Sequence, residues 1–105
     1  MIQYTKTYTR PNTSVAWWFH VELSVKMTDF QAIMKTRYRD TEKCLFDQMV
    51  PSLDGLSLTY QAYWASEEAL AEFLADLDLS LFWNARNEYN SLNGIVNGPA
   101  TSTPL

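Results

Sequence analysis

Cysteine, histidine and long apolar runs are what this chain has least of. The one cysteine, Cys44, excludes an internal disulfide framework. With a single histidine, His20, no recognisable metal-ligand spacing exists, and neither a metal nor a cofactor is expected. No apolar run approaches the ~20 residues that span a bilayer, and the first residues carry no signal-peptide pattern, so a cytoplasmic protein without a membrane partner is expected. Nucleophile-elbow, Walker and GxGxxG motifs are absent, which removes support for standard hydrolase, nucleotide and dinucleotide functions. A basic surplus is also missing. The 8 Lys/Arg against 12 Asp/Glu leave a net charge of -4, which argues against nucleic acid as a partner.

What is present is aromatic. Four Trp, six Tyr and five Phe in 105 residues are many for one small domain to hide. They either fill an unusually aromatic core or line a pocket or subunit interface. Charge is unevenly spread: residues 1–43 hold seven of the eight bases, and only Arg86 follows.

The most strongly patterned stretch runs from Leu56 to Leu74. Leu56, Leu58, Tyr60, Ala62 and Trp64 alternate with Ser57, Thr59, Gln61 and Tyr63, the period of a strand. Ser66 then offers a helix cap, Glu67 and Glu68 suit a first turn, and Leu70, Phe73, Leu74 and Leu77 repeat as a helical stripe. Earlier, Ile2, Tyr4, Lys6 and Tyr8 alternate with Gln3, Thr5, Thr7 and Thr9, predicting a first strand over 2–10.

Residues 15–27 are ambiguous. Their longer alternation favours extended structure, while Trp17, Trp18, Val21 and Val25 would also form a helical stripe. A helix over about 29–39 follows, capped by Thr28, with Met27, Phe30, Ile33, Met34 and Tyr38 facing inward. Residues 43–50 read as a strand and 51–55 as a hairpin loop. A last helix over about 79–93 is expected, capped by Asp78, with Phe82, Ala85, Tyr89 and Leu92 as its stripe and Asn93-Gly94 as its end. Residues 1–96 are expected to form one domain. Residues 97–105 read as a flexible tail, with a short strand at Ile95-Val96 as the alternative.

This order of elements is α+β. Trp64-Ala65-Ser66-Glu67-Glu68-Ala69 followed by Phe73, behind the Leu58-Thr59-Tyr60 strand and the Asp54-Gly55 turn, resembles the dimeric α+β barrel superfamily. Its members include antibiotic-biosynthesis monooxygenase-like and stress-responsive proteins. The resemblance covers about residues 43–75 well and the rest loosely. It implies a ferredoxin-like antiparallel sheet with helices on one face and a partner's sheet on the other, in a homodimer. Tyr4, Tyr8, Leu58, Tyr60 and Trp64 would take the helix-covered face, and Thr5, Thr7, Thr9, Thr59 and Gln61 the second face.

A small, largely apolar ligand, an acyl chain or an aromatic ring, is the leading expectation for function. The candidate lining is Tyr4, Tyr8, Trp17, Trp18, Met34, Tyr60 and Trp64, with His20, Tyr4, Tyr60 or Tyr63 as polar anchors. His20 is the one side chain whose ordinary titration lies near neutrality. Its functional reading is a proton acceptor or an axial ligand, as in haem-binding relatives, and an ordinary surface histidine is the favoured alternative. A solvated helix face better explains Asn84, Asn87, Asn90 and Asn93, a helix end explains Arg37, Arg39 and Lys43, and packing explains Cys44. The resemblance also allows a cofactor-independent monooxygenase, without a catalytic set that transfers to these residues. A structural dimer with a filled core is the third alternative.

Overall fold

The two period-two stretches become the central strands. β1 (Ile2–Thr9) and β3 (Ser57–Trp64) pair antiparallel in unbroken register, from Ile2 opposite Trp64 to Thr9 opposite Ser57. β2 (Cys44–Pro51) adds to β3 and β4 (Val96–Pro104) adds to β1, giving the order β2-β3-β1-β4, all antiparallel. This computed structural model describes all 105 residues.

β4 corrects the expected flexible tail. Its side chains are almost all exposed, so no burial pattern marks it in sequence. It is held by its ladder with β1 and by Leu105, whose N–H donates to the Met1 carbonyl at 2.9 Å. The ladder shifts register between Lys6 and Tyr8, and Gly98 sits in that bulge. A Cβ at position 98 would run into the Thr7 carbonyl oxygen, so only glycine fits.

Residues 15–27 form no strand. A short 3-10 turn (Trp18–His20) is followed by irregular chain up to α1 (Met27–Ile33). The alternation has a different cause. From Val21 to Lys26 the residues alternate between half-buried and exposed, so this strap lays one side on the core without joining a ladder. Val25 and Met27 pack on one part of the core, and Leu23 and Phe19 on another.

α1 continues into a π turn (Met34–Arg39) that buries Met34 and Tyr38. It starts after Lys26, whose side chain makes no cap, so the cap expected at Thr28 is absent. α2 (Glu67–Leu74) begins as expected, with Ser66 Oγ accepting from the Ala69 N–H at 3.1 Å. α3 (Leu77–Leu92) begins two residues early because Asp76, not Asp78, caps it. The Asp76 carboxylate accepts from the Asp78 and Leu79 N–H groups at 3.0 and 3.3 Å. Its buried side is Leu79, Phe82, Ala85 and Asn90, while Leu92, placed on the stripe by sequence, is 79% exposed. Gly94, at φ 71°, turns the chain away.

Every strand residue in the core comes from one face of the sheet, as expected for Tyr4, Tyr8, Leu58 and Trp64. That core is divided. A larger cluster joins Ile2, Tyr4, Ala62 and Trp64 to α2, α3 and the π turn. A smaller one joins Tyr8 and Leu58 to Trp17, Trp18 and Ile95. Tyr60 and Met27 touch both. The opposite face carries Thr5, Thr7, Thr59 and Gln61 and contributes nothing to either cluster.

Candidate functional site: a cavity between sheet and helices

Where the core divides, a cavity of about 700 Å³ opens between sheet and helices. Its floor is three strands deep. β1 supplies Tyr4, Lys6 and Tyr8, β3 supplies Tyr60, and β2 supplies Asp47 and Met49. Register explains the grouping: Lys6, Tyr60 and Met49 form one cross-strand row, and Tyr4, Ala62 and Asp47 form the next. The small side chain of Ala62, fully buried, leaves room above its row.

The roof is aromatic. Phe30 from α1, Phe73 from α2, Phe82 and Trp83 from α3, and Trp18 and Phe19 from the 3-10 turn form its aromatic part. Phe82 and Arg86 lie one helical turn apart, so both reach the same cavity. Edge-on packing of Phe30 on Phe82 and of Phe73 on Trp83 holds the roof, with ring centroids 5.5 and 5.2 Å apart.

Polar groups concentrate at two places on the wall. At one, Tyr60 Oη donates to Asp47 Oδ2 at 3.2 Å, and Arg39 Nη1 lies 3.4 Å from Asp47 Oδ1. Burial first, then the charge of Asp47, pushes the Tyr60 hydroxyl far above the usual phenol range. At the other, Arg86 Nη1 donates to Tyr8 Oη at 2.8 Å, and its guanidinium lies 5.3 Å from the Tyr8 ring centroid and 5.9 Å from that of Trp18. Lys6 Nζ lies over the same Tyr8 ring at 5.8 Å. Burial raises the pKa of Tyr4 and Tyr8, and Arg86 offsets part of that rise. All three phenols are therefore neutral donors at pH 7.

Among the residues singled out from sequence, Tyr4, Tyr8, Trp18 and Tyr60 line this cavity. The others lie elsewhere. Trp17 is buried in the smaller cluster, with the Arg10 guanidinium 4.6 Å from its ring centroid. Met34 and Trp64 are core, Trp64 fully buried against Phe73 at a centroid distance of 4.6 Å. His20 is exposed beside Phe19 and outside the lining. Tyr63 is on the opposite face, accepting from Gln3 Nε2 at 3.4 Å. Cys44 is buried, and burial raises its thiol to about 11, which keeps it protonated.

Asn90 corrects the expected solvated asparagine face: it is 1% exposed, and its Nδ2 donates to Asn97 Oδ1 at 2.7 Å. Asn84 and Asn87 do reach the cavity rim. Sequence reasoning passed over Lys6, Asp47 and Arg86. Lys6 had a signal, since it shares the inward period of Tyr4 and Tyr8, and Arg86 had another as the lone base of the acidic half. Asp47 had none, because the bulge between Cys44 and Phe46 decides which way β2 turns its side chains. No group of three or more His, Cys, Asp or Glu side chains is placed to hold a metal, and no helix is long and apolar enough to cross a membrane.

Neither a family model nor a curated protein sequence matches this chain. Solved structures do. A candidate antibiotic biosynthesis monooxygenase of Deinococcus radiodurans superposes with a TM-score of 0.65 at 12% identity, covering 100% of this chain and 92% of that one. The Mycobacterium tuberculosis protein Rv0793 fits less closely, with a TM-score of 0.49 at 18% identity, covering 100% of this chain and 96% of that one. The chain thus has the α+β fold of the Deinococcus structure, a four-stranded antiparallel sheet with its helices packed on one face.

Proposed function

We propose that this protein binds a small, largely apolar molecule in the cavity between its sheet and its helices. The observation that carries this reading is the divided core: an aromatic-lined space of about 700 Å³ within a domain of 105 residues. Volumes of that order, with an apolar wall and a few polar groups, suit drug-sized ligands. Tyr4, Tyr8, Trp18 and Tyr60 would contact the ligand. Titration with naphthalene, followed through the fluorescence of Trp18 and Trp83, tests it. Saturable quenching, diminished in Phe82→Trp, which fills the space, is expected. Linear, unsaturable quenching would overturn the reading.

The same proposal includes a homodimer joined through the open face. Phe46, Val50 and Val96 are exposed at 51%, 40% and 60%, and with the threonines they form a surface that no helix of the same chain covers. Sedimentation equilibrium at micromolar concentration should give two protomers, and one protomer would exclude the dimer.

A second reading is oxidation of a phenolic substrate by molecular oxygen. It is favoured by the fold shared with a candidate monooxygenase and by Asp47, the only carboxylate on the cavity wall. In it, Asp47 accepts the phenolic proton. Oxygen uptake with a hydroquinone, abolished in Asp47→Asn, is its test. Uptake unchanged in that variant would sink it.

A further inference from the structure

Two cations line the cavity without a carboxylate, in a chain that carries more acids than bases. Arg37, Lys35, Arg39 and Lys43 pair with acidic side chains, Arg10 donates to the Gly55 and Val15 carbonyls, and Lys26 is exposed to water. Arg86 and Lys6 pair with no acidic side chain. Arg86 is held only by neutral acceptors: Tyr8 Oη, and Asn87 Oδ1 at 3.1 Å from Nε and 3.0 Å from Nη2. A guanidinium has five N–H donors, and these contacts leave some of them unused.

Sheltering such a charge from water costs free energy that neutral partners only partly offset. Burial lowers the pKa of Arg86, and burial together with the charge of Arg86 lowers that of Lys6. Two like charges close to the same tyrosine ring therefore destabilise each other. With an excess of acids available, packing alone gives no reason to leave both unpaired. A bound anion supplies the missing partner.

Resting on the reading of the cavity as a ligand site, we propose that it takes an amphipathic anion: a carboxylate on an acyl chain or aromatic ring. The carboxylate is held between Arg86 and Lys6, with Tyr8 beside it. Orientation follows from the far wall. Asp47 lies on β2, two strands from Lys6 on β1, about 10 Å away at ordinary strand spacing. Its charge is already engaged by Tyr60 and Arg39, and it repels a second carboxylate from that end. The apolar part of the ligand is left to Phe30, Phe73 and Phe82.

Calorimetric titration at pH 7.5 with decanoate, 1-decanol and decylammonium tests this, with 2-naphthoate against 2-naphthol to separate ring from chain. Charge-assisted hydrogen bonds predict that a carboxylate binds about tenfold or more tighter than its neutral counterpart, with decylammonium weakest. Arg86→Gln should bring the carboxylate to the affinity of the alcohol and leave the alcohol within about twofold, while Arg86→Lys keeps part of the preference. Should Arg86→Gln fail to fold, Lys6→Met reads the same preference. Equal affinity of carboxylate and alcohol for the wild-type protein overturns the anion site and leaves the cavity reading standing. So does a preference that survives both Arg86→Gln and Lys6→Met. If none of the five compounds binds, the cavity reading fails and the anion site with it.

Discussion

The two faces of the sheet are drawn from the same strands, residue by alternate residue, yet they treat polar groups in opposite ways. On the open face the polar side chains are neutral and pair with one another. Thr5 meets Thr101 at 2.6 Å, Thr7 meets Thr59 at 3.0 Å, and Gln48 donates to Gln61 at 2.9 Å. On the covered face the polar groups include charges, Lys6 and Asp47, beside three neutral phenols, and they line an aromatic cavity. A neutral pair in contact with water contributes little and costs little. A charge sheltered by rings is expensive unless something pairs with it. The open face thus suits association or solvation, and the covered face suits a ligand.

The comparison breaks first where burial is greatest. Trp64→Ala on the covered face should lower unfolding free energy by about 3–5 kcal/mol, read from urea denaturation. The adjacent open-face substitution Tyr63→Ala should cost less than about 1 kcal/mol in the same assay. Similar losses from both would mean the two faces are not energetically distinct.

Next comes the seam with β4. Gly98→Ala forces a methyl onto the Thr7 carbonyl and should cost about 1–3 kcal/mol. Faster amide exchange along β4 than along β2 would locate the damage at the β1–β4 ladder.

Smaller still is the effect at Asp76, which caps α3 and accepts hydrogen bonds from Tyr38 and Arg37. Asp76→Ala should cost about 1–2 kcal/mol. Burial alone would raise the pKa of this carboxyl, but the hydrogen bonds from Tyr38 and Arg37 outweigh it, so the folded value is depressed. A depressed carboxylate stabilises the fold above its unfolded pKa of about 3.9, and that contribution disappears as pH falls through the folded value. The wild-type protein should therefore lose more stability than Asp76→Asn as pH drops below about 4, measured by thermal unfolding.

The smallest effect on the protomer sharpens the contrast most. Thr59→Arg on the open face should change protomer stability by no more than about 0.5 kcal/mol. In sedimentation it should shift the proposed dimer to single protomers while naphthalene binding persists. Loss of binding together with association would tie the cavity to the second copy.

Legibility differs along the chain for physical reasons. β1, β3 and α2 were readable because each combines an unbroken period with a clear start, such as Ser66 capping α2. The strap before α1 was not, because alternation records which side chains are buried and not whether the backbone has a ladder partner. β4 was missed for the converse reason: it has partners and buries almost nothing. Within the cavity, tyrosines and Trp18 were visible as aromatic surplus. Lys6 and Arg86 meet over the Tyr8 ring only after β1 and α3 are packed together.

The amino-acid order by itself determined the α+β class, the two central strands and the assignment of threonines and large apolar residues to opposite faces, because periodicity is a local property. Only the tertiary structure decided that the last segment is a strand, that the core divides into two clusters, and that two cations without a carboxylate partner share one cavity. Those depend on contacts between residues far apart in the chain, where backbone pairing, a bulge and the packing of helix on sheet select the neighbours.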